Sequence, residues 1–408
     1  MNVLIVSTLY YQRLVELLDS LTADFEERSV DEINYYVVNE NYGAEQPSNV
    51  KFKHYISTSD STDTQEMERI YNEVRTWPKF DYSIQTDEYA ITILALINTE
   101  LGLPGLTMED EHKFRDKVKM KQALKDDVPT PKLYTLDDVK NNVFEYPVIV
   151  KPRTFAASKG VEIMEDKETL IEFLKDKQVN YERASIDTIF DYEIEQYVSG
   201  DIYHIDGIVF DGNIKFCVAS RYLGNCFNYA QGKILGSVVA DDSQQEKAIA
   251  LAKKVNRDLE IPNGVFHLEA IYHDDDFVFL EIGARPGGGD IVPTINLATG
   301  VDLTKEHIKC QIGIKPLDIK REKNYFGWLN FPCIYEYERS QFVKEIEMPQ
   351  KKLKSLNKFK LPKIGDKATS DFVNYGNALG TFIFLSNDYE EMKADMEEII
   401  KSYKVIIA

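Results

Sequence analysis

The stretch FVFLEIGARPGGGD, Phe277 to Asp290, begins as a buried strand, carries a glutamate at its centre and ends in an arginine beside three glycines. An unpaired carboxylate inside an apolar strand is costly or loses its charge, so Glu281 needs a partner. The preceding residues supply one. VFHLEAIYHDDDFVFLEIG reads as a β-hairpin, and a three-residue turn at Asp274 to Asp276 sets His273 against Phe277, Glu269 against Glu281 and His267 against Gly283. Opposed residues have Cβ atoms about 4.5–5.5 Å apart, and two like charges there destabilise a sheet unless something neutralises them. A divalent cation does so, and paired carboxylate oxygens suit magnesium bridging to a nucleotide phosphate. Glu269 alone reads equally well as the solvent-facing residue of an amphipathic strand. The pair together favours a metal site.

The 408 residues are too many for one compact core and imply roughly two to four lobes. A formal net charge of -20 repels a phosphate backbone overall and argues against a nucleic-acid partner. Cys217, Cys226, Cys310 and Cys333 form no CxxC pair and have no histidine at zinc-ligand spacing, which reads as reduced thiols in a cytoplasmic protein. The N-terminal MNVLIVSTLYYQ lacks the basic start and apolar length of a signal peptide. No apolar run approaches the ~18 residues of a membrane span, so no membrane association is expected.

NVLIVS, INYYVV, KHYIS and FDYSIQT read as strands separated by helical patterns, the first through Leu14, Leu17, Leu18 and Leu21. This predicts a parallel sheet covered by helices in a first α/β lobe. YAITILALINTELG reads as a helix stopped at Gly102, with Pro104 beyond it. EHKFRDKVKMKQALKDD reads as one basic helix. Phe114, Val118 and Leu124 make its buried stripe, and Lys113, Lys117 and Lys121 fall on another face, which taken alone is a solvated one. Short strands and hairpins follow, YPVIVKP, VEIME, YEIEQYV and HIDGIVFDGNIKFCVAS, with Asp211-Gly212 as a tight turn. The C-terminal part alternates strands with an amphipathic helix, DYEEMKADMEEIIKSY.

In YPVIVKPRTFAASKGVEIM, Val148 to Val150 deliver Lys151 to a strand end, and Pro152 ends the pairing. AASKG is then a loop of small residues whose backbone amides can close on an anion, with Lys159 as a mobile cation. It is not a Walker A loop, because it lacks GxxxxGK[ST]. An ordinary hairpin with solvated lysines fits the same residues.

Taken in order, RDKVKMKQAL, YPVIVKP, AASKGV, IEQYVSG, FHLEAIY and FLEIGARPGGG resemble the ATP-grasp superfamily of carboxylate–amine ligases. The resemblance spans about residues 80–310 and is closest to the L-amino-acid ligases that make dipeptides, on the EIGARPGGG close, the DEYA helix start and GDKATSDFVNYGNALGTFIF. It implies an α/β ATP-grasp fold with α+β lobes. Residues 1–110 would form a Rossmann-like domain preceding it, 111–195 a linker helix and small lid subdomain, and 196–315 a large subdomain with the metal and catalytic residues. Residues 316–408 would form a C-terminal α/β lobe packed on that core.

The resemblance implies ATP and Mg2+, with Mn2+ as an alternative ion. Lys117 and Lys151 would hold the phosphates, with Ser158, Lys159 and Gly160 in the loop closing over them. Glu195, Gln196, Tyr197 and Val198 would form the adenine hinge, and Glu269 and Glu281 would hold the metal. Arg285 would be catalytic, stabilising the phosphorylated carboxylate, while Glu88, His267, Gly287, Gly288 and Gly289 would meet the substrate. The partners implied are amino acids, and family members are often homodimers. Two departures stand out. Many members carry Asn two residues after the second metal glutamate, where this chain has Gly283, and the ribose contact is Asp201 or nothing obvious.

The implied activity activates an amino-acid carboxylate as an acyl phosphate and joins it to an amine, that of a second L-amino acid, releasing ADP and phosphate. One alternative is an ATP-grasp ligase or carboxylase with another acceptor, a carrier thiol or bicarbonate and biotin, although the sequence shows no biotin-carrier motif. A nucleotide-binding protein without catalysis is the other.

Overall fold

The computed structural model describes residues 1–27, 33–40, 52–156, 158, 160–177, 191–224, 229, 232–316, 324–333, 341–368 and 378–408. Lys159, Cys226 and residues 369–377 of the GDKATSDFVNYGNALGTFIF segment lie outside them. No described helix is long and apolar enough to cross a membrane.

The chain opens with β1 (Asn2–Ser7), α1 (Tyr11–Glu27), β2 (Asn34–Glu40), β3 (His54–Thr58), α2 (Thr64–Val74), β4 (Tyr82–Gln85) and α3 (Ile91–Leu101). The strands form the expected parallel sheet in the order β3-β2-β1-β4. β1 is a continuous apolar run because both its faces are covered. Leu4 and Val6 pack with Ile70 and Ile93, and Val3 and Ile5 with Leu14 and Leu18. As expected, α3 stops at Gly102, which adopts the left-handed conformation.

The single basic helix is corrected to two, α4 (Met108–Arg115) and α5 (Lys117–Gln122). Asp116 between them is extended, with φ -104° and ψ 106°, and its carboxylate accepts from the Val118 and Lys119 amides. It thus caps a new helix rather than continuing the old one. The break turns Lys117 and Lys121 inward, to 7% and 5% exposure, so the solvated face does not exist at these positions.

A small antiparallel sheet follows, with elements β5 (Leu133–Tyr134), α6 (Leu136–Asn141), β6 (Val148–Pro152), β7 (Glu162–Met164), α7 (Lys167–Asp176) and β8 (Tyr192–Gln196). Its order is β5-β8-β6-β7. Val148, Val150, Ile194 and Leu170 make its core. Pro152 does not end the pairing: it lies opposite Tyr192, and the Arg153 amide continues the ladder to Asp191 O at 2.9 Å.

The remaining elements are β9 (Asp201–Phe210), β10 (Asn213–Leu223), β11 (Leu235–Val239), α8 (Asp242–Leu259), β12 (Gly264–His273), β13 (Asp276–Gly283), α9 (Ile291–Thr299), α10 (Leu303–Gln311), β14 (Tyr325–Phe331), β15 (Gln341–Glu347), β16 (Leu356–Lys360), β17 (Lys367–Ala368), β18 (Gly380–Ser386), α11 (Tyr389–Ser402) and β19 (Lys404–Ile407). Eight strands form one sheet, in the order β13-β12-β9-β10-β11-β14-β18-β16. Three of them come from the C-terminal segment. On one face Ile205, Leu268 and Phe279 pack with Val255 of α8 and Met120 of α5. On the other, Ile208, Val218 and Trp328 pack with Ile295 of α9. The Asp211-Gly212 turn between β9 and β10 has both residues at positive φ, as a tight hairpin requires.

The hairpin of β12 and β13 reaches its register by another route than expected. Its turn has two residues, not three: Asp274 and Asp275 sit at φ 48° and 65°, and His273 pairs with Asp276. That register alone would set Glu269 against Leu280. A β-bulge with Leu280 as the extra residue shifts the ladder, so Glu269 faces Glu281 and His267 faces Gly283. The bulge also resolves a conflict of parity. On a regular strand Glu281 would share the core face of Phe277 and Phe279, both fully buried.

Candidate functional site

A cavity of about 250 Å3 lies between the small sheet and the β9, β12 and β13 end of the large one. Ile149, Val161 and Ile163 wall it from the small sheet, and Ile202, Ile271 and Leu280 from the large one. This apolar slot ends in charge. Nine residues singled out from the sequence line it together: Lys117, Lys151, Ser158, Glu195, Gln196, Tyr197, Val198, Glu269 and Glu281. Gly160 closes the β6–β7 loop beyond Ser158, and both lie at positive φ. A smaller adjoining cavity, lined by Glu88, Lys117, His267, Glu281, Gly283 and Arg285 among others, shares Lys117 and Glu281 with the first.

The cations are held by carboxylates. Lys151 Nζ lies 2.6 Å from Glu195 and 3.4 Å from Glu193, while Lys121 Nζ lies 3.0 Å from Glu193 and 2.9 Å from Glu195. Glu193 and Glu195 alternate with apolar residues on β8 and so share one face. Burial opposes the Lys151 charge, but Glu195 and Glu193 outweigh it and hold the ammonium well above the usual lysine range. Burial likewise opposes the Glu195 charge, and Lys151 and Lys121 keep that carboxyl below its usual range. Lys117, the first residue of α5, reaches Phe155 O at 2.5 Å and Glu281 at 3.1 Å. Against the cost of burial, Lys117 and Lys151 pull the Glu281 carboxyl down to about 2.

Arg285 Nε donates to Glu88 Oε2 at 2.9 Å, and its Nη1 to Pro286 O at 2.9 Å. Its Nη2 has no hydrogen-bond partner among the described residues. Arg115 holds the other oxygen of Glu88 at 2.7 Å. Glu88 is thus a bridge between two arginines, and these hold its carboxyl below the usual range despite burial.

Behind the carboxylate pair runs a buried polar network. Asp206 accepts from His204 Nδ1 at 2.6 Å and from His267 Nδ1 at 2.8 Å, and His204 Nε2 faces Ser237 Oγ at 2.9 Å. His267 Nε2 lies 3.5 Å from Glu269 Oε1, which also accepts from the Tyr222 hydroxyl at 3.1 Å. Burial disfavours the His267 cation, yet Asp206 pushes the ring up to about 9. Gly287 lies against this network: a Cβ there would meet Asp206 Oδ1 at 2.7 Å and His267 Nδ1 at 3.0 Å. Among the described residues, His204, Asp206 and His267 bring donor atoms within 4.8 Å of one another, and the hydrogen bonds within the group account for this.

Lys121, Glu193, Arg115, Tyr222, Asp206 and His204 were not singled out from the sequence. Glu193 and Glu195 in YEIEQ did carry a signal, two acids on one face of a strand, but a solvated strand shows the same pattern. Arg115, next to the helix break, carried none.

A nucleotide-sized cleft between two antiparallel sheets, with two lysines and two opposed glutamates, defines a class. Residues 114–289 match the ATP-grasp domain family, so this part of the chain is an ATP-grasp domain. Among curated proteins, the alanine–anticapsin ligase of Bacillus subtilis is 28% identical over 242 residues, covering 54% of this chain and 51% of the relative. That of Bacillus amyloliquefaciens is 27% identical over the same length, with the same coverage. The chain spans about half the length of the curated relatives it matches. Among solved structures, an L-amino acid ligase from Bacillus licheniformis superposes with a TM-score of 0.70 at 18% identity, over 99% of this chain and 98% of that one. A phosphoribosylglycinamide synthetase from Anaerococcus prevotii gives 0.66 at 19% identity, over 100% of both. At such identities the likeness is one of fold.

Proposed function

We propose that the chain is an ATP-dependent carboxylate–amine ligase that joins an amino-acid carboxylate to the amine of a second L-amino acid, with release of ADP and phosphate. The observation that carries this is the meeting of Lys117, Lys151, Glu269 and Glu281 in one cleft with Arg285 beside it. The names of the ligase relatives support the choice of substrates. The apolar slot suits an adenine, with Gln196, Tyr197 and Val198 at its rim. Lys117 and Lys151 would neutralise the phosphates. Glu269 and Glu281 offer a hard divalent ion such as Mg2+ the oxygen ligands it prefers, and the Lys117 ammonium beside Glu281 marks a place where positive charge is stable. That ion would supply further neutralisation of the triphosphate.

A carboxylate is a poor acyl donor because its leaving group would be oxide. Transfer of the γ-phosphoryl group makes that oxygen part of a phosphate, which the attacking amine then displaces. The protein positions and neutralises. Arg285, oriented by Glu88, would offer its Nη2 to the charge developing on the acyl group. Among the described residues, the free thiols of Cys310 and Cys333 support a cytoplasmic setting.

The test is phosphate release with ATP and Mg2+ across all pairs of amino acids, with mass spectrometry of the products. ADP, phosphate and a dipeptide from particular pairs are expected. AMP and pyrophosphate would sink the reading, and turnover with bicarbonate but no amino acid would transfer the chain to the carboxylases. In the same assay Arg285→Ala should lower turnover by about 10²–10³ and leave ATP affinity within a few-fold. An equal collapse of nucleotide binding would remove Arg285 from its assigned role.

A further inference from the structure

We propose that His267 is a third protein ligand of the divalent cation held by Glu269 and Glu281, an inference that rests on the metal reading above. The hairpin register sets His267 directly opposite Gly283 and two positions from Glu269. Its imidazole therefore shares one face of the sheet with both carboxylates. Gly283 cannot supply a donor. A Cβ there would meet Arg285 Cγ at 3.1 Å and Nε at 3.4 Å, so any side chain at 283 displaces the arginine stem. Across the ladder from Gly283 the residue that does carry a donor is His267.

The ring is built to be a ligand. It is 6% exposed, and the Gly287 backbone packs against it and Asp206. Asp206 has one oxygen on His204 Nδ1 and the other on His267 Nδ1. A carboxylate only accepts, so both Nδ1 atoms donate, and the tautomer and orientation of His267 are fixed from behind. A carboxylate behind an imidazole is the usual support of a metal-bound histidine. Nε2 is then the atom turned towards Glu269, 3.5 Å from its Oε1. Two adjacent ligands on an octahedral ion stand roughly 3 Å apart, given bonds of about 2.1 Å, so little movement is needed to share one. In the ring that carries its proton on Nδ1, Nε2 offers the lone pair that the ion would take. A nitrogen donor among oxygens shifts preference from Mg2+ towards Mn2+.

The experiment is pulsed EPR of the full chain with Mn2+ and ADP. The expected spectrum shows a directly coordinated nitrogen, altered when the wild-type protein is labelled with 15N-histidine and absent in His267→Gln and His267→Asn. Mn2+ affinity should fall about tenfold in these variants, and Mg2+ affinity less. The labelling arm needs no substitution, so it decides even if the variants fold poorly. A Mn2+ ion that Glu269→Gln weakens but that shows no histidine coupling overturns the ligand and leaves the metal site standing. Mn2+ affinity indifferent to Glu269→Gln overturns both.

Discussion

Lys121 follows Lys117 by one helical turn on α5, and both ammonium groups are buried, one between Glu193 and Glu195 and the other against Glu281 and the Phe155 carbonyl. Lys121 touches no expected ligand, yet it neutralises the two glutamates that hold Lys151. Without it, Lys151 would face the two carboxylates alone and be drawn away from the proposed phosphate site. Removing one partner of a buried charge cluster costs about 3–5 kcal/mol, because it leaves uncompensated charge. Lys121→Met is therefore expected to lose stability of that order in denaturant unfolding and to raise the KM for ATP. Adding Glu193→Met should recover most of the stability, and a strictly additive double variant would deny the coupling. Lys117 was legible only through family resemblance. Its period along the helix pointed outward, and nothing in the residues themselves distinguishes a lysine facing water from one facing a buried glutamate.

At the scale of elements, two irregularities decide where the site falls, and each was only half legible. The pairing of Glu269 with Glu281 was read correctly from a turn length that is wrong. The parity of Phe277, Phe279 and Glu281 was the visible sign that the strand could not be regular, since a carboxylate cannot follow two core phenylalanines on one face. The other irregularity is Asp116, which ends α4 and starts α5 and so aims Lys117 into the cleft. Aspartate within a charged, helix-favouring run gives little warning of a break. Its carboxylate takes the Val118 and Lys119 amides and the Arg153 guanidinium. Asp116→Ala is expected to lose about 1–2 kcal/mol, most of it the cap, and to raise the KM for ATP more than it lowers kcat. Asp116→Asn keeps the acceptor and should retain most of both. Thermal melts beside steady-state kinetics separate the two variants, and equal losses would mean that the charge, not the cap, sets Lys117.

At the scale of the molecule, the parallel lobe could be read element by element because its strands are local apolar runs with helices between them. The large sheet could not. Its order joins β11 to β14 and β18 to β16 across long intervals of sequence, and alternation within a strand says nothing about its neighbours. The consequence for function lies at the cleft, where the small sheet brings Lys151 and Glu195, and the large sheet brings Glu269 and Glu281. A nucleotide bound there contacts both sheets and stabilises the folded chain by mass action. At a concentration 100 times its Kd, MgADP contributes about 2.7 kcal/mol, which for a chain of 408 residues raises the melting temperature by roughly 3 °C. Lys151→Ala should abolish most of that shift, measured against its own ligand-free melt, because it removes the cation the small sheet contributes. Arg285→Ala should keep the shift, since Arg285 lines the adjoining cavity rather than the nucleotide cleft. A shift that survives Lys151→Ala would place the nucleotide somewhere other than between the two sheets.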